Sequence, residues 1–181
     1  YNHLIGREII LHANGCIAIS PNEIEQFKSY GVKLDKMVVI PNGINPDDYS
    51  ESDGKKFRAR YGIGDAPMIL FLGRLNFIKG PDMLLEAFCR CSQDEGMKTY
   101  HLVFAGPDEG MLNELRRMVE TSGVKNRVHF TGYIGGSEKY DAYRAADFLA
   151  IPSRQEAMSI VVLEAGISGT PVLITDQCGF D

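Results

Sequence analysis

The chain has 181 residues, of which 44% are hydrophobic and 24% are charged; this composition is typical of a folded domain and excludes a disordered chain. Its formal net charge of -5 gives no long-range attraction to polyanions, so nucleic acid is not expected as a partner and any anion site must be local. No apolar run approaches the roughly 20 residues that a membrane-spanning helix needs.

The first part of the chain alternates short helices and strands and ends in a turn. Hydrophobic periodicity predicts, in chain order, a helix over residues 4–12, a strand over 16–20, a helix over 21–30 and a strand over 37–40. Pro41-Asn42-Gly43 then interrupts the pattern. This interruption predicts a domain boundary, which separates residues 1–45, ending in a linker, from a second domain over residues 46–181.

The second domain begins with a polar connector and continues as alternating strands and helices. Between Asn45 and Ala66 the sequence predicts one short helix, near residues 55–61. Short β-branched runs predict five strands, over residues 68–72, 101–105, 127–131, 148–151 and 171–174. Longer helical patterns predict four helices, over residues 81–91, 108–121, 137–145 and 159–168. This alternation predicts an α/β fold, a Rossmann-like parallel sheet with helices on both faces.

Both ends of the sequence indicate a piece of a longer protein. The chain begins at Tyr1 rather than Met, and it stops shortly after the last predicted strand. A strand of a parallel sheet is normally followed by a covering helix, which this sequence does not contain. We therefore expect a fragment that is truncated at its C-terminus.

Neither a metal site nor a disulfide is expected. The four cysteines are Cys16, Cys89, Cys91 and Cys178, and their spacing matches no zinc pattern. Cys89 and Cys91 lie two apart on a predicted helix, where such residues point to different sides. We expect reduced thiols that pack as small hydrophobic side chains.

The first candidate site follows the predicted strand that ends at Leu72. Gly73, Arg74, Lys79 and Gly80 stand between this strand and the next helix. Open α/β sheets bind their ligands at the carboxyl ends of the strands. A guanidinium fork and a mobile ammonium, with glycines that allow close approach, suit a diphosphate. The alternative is a solvated loop with two ordinary surface cations.

The second candidate site contains two acidic residues in the pattern E-x7-E, Glu156 and Glu164. If Glu156 lies in the loop and Glu164 in the following helix, their backbones are about 12 Å apart. The helix start near Ser159 would aim free N–H groups at an anion. Glu164 falls on an apolar arc of its helix and therefore needs hydrogen-bond donors, which could be ribose hydroxyls or a neighbouring arginine or backbone amide.

Two further strand ends are followed by glycine turns. Gly106 could admit a sugar or phosphate, and the segment from Gly132 through Tyr133 to Ile134 could hold a flat base. Plain turn chemistry is the alternative for each.

The order of these elements resembles the glycosyltransferase group 1 domain of the family 4 retaining enzymes, which have the two-domain GT-B fold. The resemblance rests on Ile40-Pro41-Asn42-Gly43-Ile44, Gly73-Arg74-Leu75, Lys79-Gly80, Phe104-Ala105-Gly106, Phe130-Thr131-Gly132, Ala146-Asp147, Pro152-Ser153, Glu156, Glu164-Ala165 and Gly169-Thr170-Pro171-Val172. The match runs from about Met37 to the end, and the preceding residues resemble the close of the N-terminal domain. The resemblance implies that the chain is one half of a GT-B fold.

The resemblance also implies roles for individual residues. Arg74 and Lys79 would hold the donor diphosphate and stabilise the leaving nucleotide, Glu156 would contact the transferred sugar, and Glu164 would bind the ribose hydroxyls. The remaining donor-binding positions would be Gly73, Gly106, Tyr133, Ile134, Ala157, Met158, Ser159 and Ile160. Many members have E-G-F-G where this chain has Glu156-Ala157-Met158-Ser159, and this departure leaves the identity of the sugar open.

The implied reaction transfers a sugar from a UDP- or GDP-sugar to an acceptor hydroxyl with retention. A glycan or lipid acceptor would bind through the missing N-terminal domain, so the fragment alone is expected to be inactive. The absence of a D-x-D triplet fits a family that typically needs no metal or other cofactor. The expected location is the cytoplasm, with peripheral membrane attachment of the whole enzyme left open.

Two other functions share these features. A GT-B-like epimerase or phosphorylase would use the same sheet and phosphate site. A non-catalytic module that binds nucleotide sugars would retain the fold without the reaction, because a fold does not fix a function.

Overall fold

The computed structural model describes residues 6–49 and 51–179. The N-terminal part contains two helices, α1 (Arg7–His12) and α2 (Pro21–Ser29), and two parallel strands, β1 (Cys16–Ala18) and β2 (Met37–Val39). Pro21 opens α2, because proline lacks the N–H that the first helical turn leaves unpaired. Residues 4 and 5 of the first predicted helix lie outside the described residues, and both predicted strands extend beyond the observed ones.

A second sheet has five parallel strands and forms the centre of the fold. Its strands are β3 (Met68–Leu72), β4 (His101–Ala105), β5 (Val128–Gly132), β6 (Phe148–Ile151) and β7 (Val172–Ile174). They lie in the order β5-β4-β3-β6-β7. The predicted α/β class with a parallel sheet is confirmed.

Helices cover both faces of this sheet. They are α3 (Gly54–Arg60), α4 (Pro81–Cys91), α5 (Leu112–Ser122), α6 (Ser137–Ala145) and α7 (Ile160–Ile167). Successive residues of a strand point to opposite faces, so Leu70 packs into one core with Phe57 and Tyr143, whereas Phe71 packs into the other with Phe88. These two hydrophobic cores hold the sheet from both faces, and they thereby fix the positions of the strand ends.

Helix α5 begins four residues later than the sequence predicts, at Leu112 instead of residue 108. The Asp108 carboxylate is the reason, because its Oδ1 accepts hydrogen bonds from the backbone N–H groups of Gly110, Met111 and Leu112 at 2.9, 3.1 and 3.0 Å. These hydrogen bonds lower the pKa of Asp108, and the bond from Leu112 has the largest effect. The predicted first turn is therefore a capping turn that precedes the helix.

Strand β5 lies one residue later than its prediction over residues 127–131. Lys125–Arg127 form a short 3-10 turn instead, and Arg127 donates from Nη1 to the carbonyl oxygens of Met97 and Tyr100. Strand β7 and helix α7 are shorter than predicted by one or two residues, a difference usual at element ends.

The His101 and His129 imidazoles predict how stability depends on pH. Their Nδ1 and Nε2 atoms are 2.8 Å apart, and burial lowers the pKa of both rings from 6.5. Below about pH 6.5 the unfolded chain therefore binds more protons than the folded chain. The contribution of the neutral rings to the free energy of unfolding is fully present above about pH 6.5, and it is lost as the pH falls through the lowered pKa values. The Tm of His129→Gln should therefore fall less than that of the unaltered chain between about pH 7 and pH 5.

His12→Gln is the matched control, because the His12 side chain is 79% exposed. Its Tm should fall with pH as steeply as that of the unaltered chain. Equal slopes for His129→Gln and the unaltered chain would contradict the prediction.

Candidate functional site

The candidate site lies where the chain reverses its direction across the sheet. From β3 the chain runs outward through β4 to β5, and then returns to place β6 on the other side of β3. Ligands of open α/β sheets bind in the crevice at the carboxyl ends of such neighbouring strands. A cavity of about 140 Å³ occupies this place, and its lining residues are Phe71, Leu72, Gly73, Arg74, Lys79, Ile151, Ser153, Glu156, Ser159, Ile160 and Val161. We call it the crevice.

The loop after β3 is pressed against the loop after β6. Gly80 has a φ of 68°, and a Cβ there would lie 2.1 Å from the carbonyl oxygen of Pro152. Only glycine permits this approach. Asn76 accepts a hydrogen bond from the Lys79 N–H at 3.0 Å and fixes the turn before Gly80. Lys79 is thereby held at the mouth of the crevice.

Lys79 and Glu156 form an ion pair across these two loops. Lys79 Nζ is 2.5 Å from Glu156 Oε1, and the two side chains are 21% and 13% exposed. Ser153 Oγ donates to the other carboxylate oxygen at 3.0 Å. The Glu156 N–H donates to the carbonyl oxygen of Gln177 at 2.9 Å, which ties the loop after β6 to the loop after β7. Both oxygens of the Glu156 carboxylate are therefore held in place.

Arg74 lines the crevice and is held from the side of β4. Its Nη1 lies 3.1 Å from both carboxylate oxygens of Glu109, and Asn76 Nδ2 donates to the same carboxylate at 2.8 Å. Both contacts lower the pKa of Glu109, and the hydrogen bond from Asn76 has a larger effect than the one from Arg74. Sequence reasoning missed Glu109 and Asn76; their positions after two adjacent strands were the available signal.

The start of α7 faces the crevice without a side-chain cap. Ser159 is 1% exposed, its side chain caps no N–H of the helix, and its buried Oγ has no hydrogen-bond partner among the described residues. The first N–H groups of a helix carry a partial positive charge that favours anions. This end of α7 can therefore accept hydrogen bonds from a ligand hydroxyl or donate them to an anion.

Glu164 is satisfied inside the protein rather than in the crevice. It is 6% exposed and accepts hydrogen bonds from Lys139 Nζ at 2.6 Å and from the Tyr143 hydroxyl at 2.7 Å. Burial, followed by the Glu164 contact, raises the pKa of Tyr143. The expected need for donors is met by a lysine and a tyrosine, neither of which was among the alternatives drawn from the sequence.

The remaining predicted positions do not line the crevice. A Cβ on Gly106 would lie 1.9 Å from the Gly73 carbonyl oxygen, so these two glycines bring the ends of β3 and β4 together. Tyr133 is 77% exposed, whereas Ile134 is 6% exposed and packs in the core. The Ala157 carbonyl oxygen lies 2.0 Å from where a Gly179 Cβ would be. Met158 is partly buried beside Ser159.

The structure thus brings Gly73, Arg74, Lys79, Glu156, Ser159 and Ile160 together around one crevice. It places Gly106 against Gly73, and it leaves Glu164 and Ile134 inside the fold. Among residues 6–49 and 51–179, no three His, Cys, Asp or Glu side chains are grouped so that they could hold a metal ion, and the four cysteines are free. Within the same ranges, no helix has the length and apolar character needed to cross a membrane.

A parallel sheet with cations, a carboxylate and an uncapped helix start over its switch point has the form of an α/β domain that binds phosphorylated ligands. The chain belongs to the family described as Glycosyl transferases group 1, which matches residues 53–181. The resemblance drawn from the motifs is therefore confirmed.

Three similar proteins illustrate the range of this family. The chain is 30% identical to the mannosylfructose-phosphate synthase of Agrobacterium fabrum, over 99% of this chain and 42% of that protein. It is 32% identical to the D-inositol 3-phosphate glycosyltransferase of Nocardia farcinica, over 96% of this chain and 40% of that protein. A crystal structure of HepE from Anabaena in complex with UDP-glucose superposes with a TM-score of 0.85 at 26% identity, over 97% of this chain and 48% of that one. The chain spans about two fifths of the length of these curated relatives.

The contact between Gly106 and Gly73 predicts a large cost for a side chain at position 106. Gly106→Ala would place its Cβ 1.9 Å from the Gly73 carbonyl oxygen at a φ of 146°. We expect it to lower the free energy of unfolding by about 1–3 kcal/mol, measured by urea denaturation. Gly96→Ala is the control, since no atom lies within 4 Å of its added Cβ, and it should change stability little. Equal effects would contradict the packed contact.

The internal partners of Glu164 predict a structural role for its carboxylate. Glu164→Gln replaces an acceptor of two hydrogen bonds inside the protein. We expect a loss of about 1–3 kcal/mol in the free energy of unfolding, because Lys139 and the buried Tyr143 hydroxyl lose a charged partner. Glu120→Gln breaks an exposed pair with Lys125 and should cost less than about 1 kcal/mol. A Glu164→Gln chain as stable as Glu120→Gln would show that these contacts do not stabilise the fold.

Proposed function

We propose that the chain is the donor-binding part of a retaining glycosyltransferase that moves a sugar from a UDP- or GDP-sugar to an acceptor hydroxyl. The observation that carries the proposal is the meeting of Arg74, Lys79, Glu156 and the uncapped start of α7 at the crevice. HepE, whose crystal structures contain UDP and UDP-glucose, gives the nucleotide-sugar class independent support.

Arg74, Lys79 and the start of α7 are each suited to bind a diphosphate. The Arg74 guanidinium is held at Nη1 by Glu109, which leaves its other nitrogens to donate to a phosphate oxygen. Lys79 offers three donors, of which one is used by Glu156. The partial positive charge at the start of α7 adds to both.

These groups also explain how the reaction would be accelerated. As the bond between the sugar and the phosphate breaks, negative charge grows on the departing nucleoside diphosphate. Preorganised cations and N–H groups stabilise this charge more strongly in the transition state than in the ground state, and so lower the barrier. Among the described residues Glu156 is the one carboxylate that lines the crevice, so the two-carboxylate scheme of glycosidases finds no support there.

Glu156 and Glu164 would take the two ends of the donor. Glu156 borders the crevice, and it would meet the transferred sugar if the distal phosphate of the donor lies on its side. Glu164 lies deeper, and a carboxylate has about four acceptor sites, of which Lys139 and Tyr143 use two and the Tyr49 hydroxyl approaches a third. The ribose hydroxyls would use the remaining site or displace Lys139, whose side chain is 24% exposed.

Arg74→Ala tests the diphosphate site. Removing a hydrogen bond to a charged group should weaken the binding of UDP or GDP about tenfold to a hundredfold, measured by isothermal titration. The side chain of Arg74 is 57% exposed, so the variant should fold normally. Lys98→Ala removes a similarly exposed cation, paired with Glu95 before the start of β4, and should leave binding unchanged.

The same titrations separate the proposal from its rivals. Nucleotide binding that is absent, or is insensitive to Arg74, would overturn the donor site. Release of free nucleoside diphosphate when donor and acceptor are supplied to the whole enzyme that contains this chain distinguishes sugar transfer from phosphorolysis, epimerisation or binding alone.

A further inference from the structure

A second cavity adjoins the crevice on the side of α2. Its volume is about 380 Å³, and its lining residues are Asn22, Gln26, Arg154, Gln155, Glu156, Asp176, Gln177 and Gly179. Helix α2 forms one wall, and the loops after β6 and β7 form the others. We call it the amide cavity, because amide side chains line it from both sides.

The two loops that form its floor are fixed to each other. The Glu156 N–H donates to the Gln177 carbonyl oxygen at 2.9 Å, and Thr175 Oγ1 donates to the Ser153 carbonyl oxygen at 2.7 Å. Gly179 approaches so closely that an added Cβ would lie 2.0 Å from the Ala157 carbonyl oxygen. The cavity therefore has a rigid floor against which α2 presents Asn22 and Gln26.

Glu156 lines both the crevice and the amide cavity. Its carboxylate stands at the boundary, held by Lys79 from the side of the crevice and by Ser153 from below. Because Glu156 is common to both cavities, a group attached to a diphosphate in the crevice would reach the amide cavity by passing this carboxylate.

The chemistry of the amide cavity favours an uncharged, hydroxyl-rich occupant. Each amide side chain offers donors and an acceptor, which together match the alternating donor and acceptor character of sugar hydroxyls. Arg154, the basic residue of the lining within the described part of the chain, is held by Asp82 at 2.9 and 2.6 Å. Its guanidinium also lies 3.9 Å from the centroid of the Phe77 ring. Its charge is thus already compensated, whereas Asp176 brings an acidic group to the cavity.

We infer that Asn22 and Gln26 of α2 are specificity-determining residues that bind the hydroxyls of an uncharged transferred sugar in the amide cavity. This inference rests on the proposed function, since it needs a nucleoside diphosphate in the crevice. The selection of the sugar is thereby assigned in part to α2, which lies outside the five-stranded sheet whose loops would bind the nucleotide.

The test compares nucleotides with nucleotide sugars. Isothermal titration of the chain with UDP, UDP-glucose, UDP-galactose, UDP-glucuronate, GDP and GDP-mannose gives the affinity that each sugar adds to its nucleotide. We expect at least one uncharged sugar to add about threefold or more, the gain of one or two net hydrogen bonds. UDP-glucuronate should bind no better than UDP, because its carboxylate would face Asp176.

The double variant Asn22→Ala, Gln26→Ala should lose this gain and bind nucleotide sugars as it binds free nucleotides. Its affinity for the free nucleotides should stay within about twofold of the unaltered chain. Both side chains are exposed on α2, so the variant should retain its Tm. The double variant Gln93→Ala, Asn126→Ala removes two exposed amides elsewhere and should retain the full gain.

Each outcome decides one of the two proposals. If neither UDP nor GDP binds the unaltered chain, the proposed function fails and the inference falls with it. If nucleotides bind but no sugar adds affinity, or the α2 variant keeps the gain, the inference alone is wrong. A preference for UDP-glucuronate over UDP-glucose would overturn the assignment of an uncharged sugar.

Discussion

The ion pair between Lys79 and Glu156 is the contact on which the candidate site depends. It joins the loops after β3 and β6, which the strand order brings together at the switch point of the sheet. The close approach of Gly80 to Pro152 makes the pair possible, because a side chain at position 80 would separate the loops. Since both side chains are largely buried, the pair is shielded from solvent and positions a cation and an anion at the same cavity.

The two carboxylates of the E-x7-E pattern have different surroundings and so contribute differently. Glu156 stands at a boundary between two cavities, where its fixed orientation can serve a ligand. Glu164 is buried and bound by Lys139 and Tyr143, so it also stabilises the packing of α6 against α7.

Helix α2 connects the N-terminal part of the chain to the site. The amide cavity lies between α2 and the loops of the five-stranded sheet, so its shape depends on how these two parts pack. The chain spans about two fifths of the length of its curated relatives, so the acceptor and the complete reaction of the whole protein are proposed and not observed. Family membership does not depend on these proposals, since residues 53–181 match the family directly.

The sequence by itself determined the α/β class, nearly all strands and helices, the family, and the loop positions of Arg74, Lys79 and Glu156. These follow from local periodicity, glycine positions and the rule that parallel sheets bind ligands at their carboxyl ends. Only the tertiary structure decided the partners: Glu109 for Arg74, and Lys139 and Tyr143 for Glu164. These contacts join residues that are far apart in the chain and whose distances depend on how strands and helices pack, so no spacing in the sequence encodes those distances.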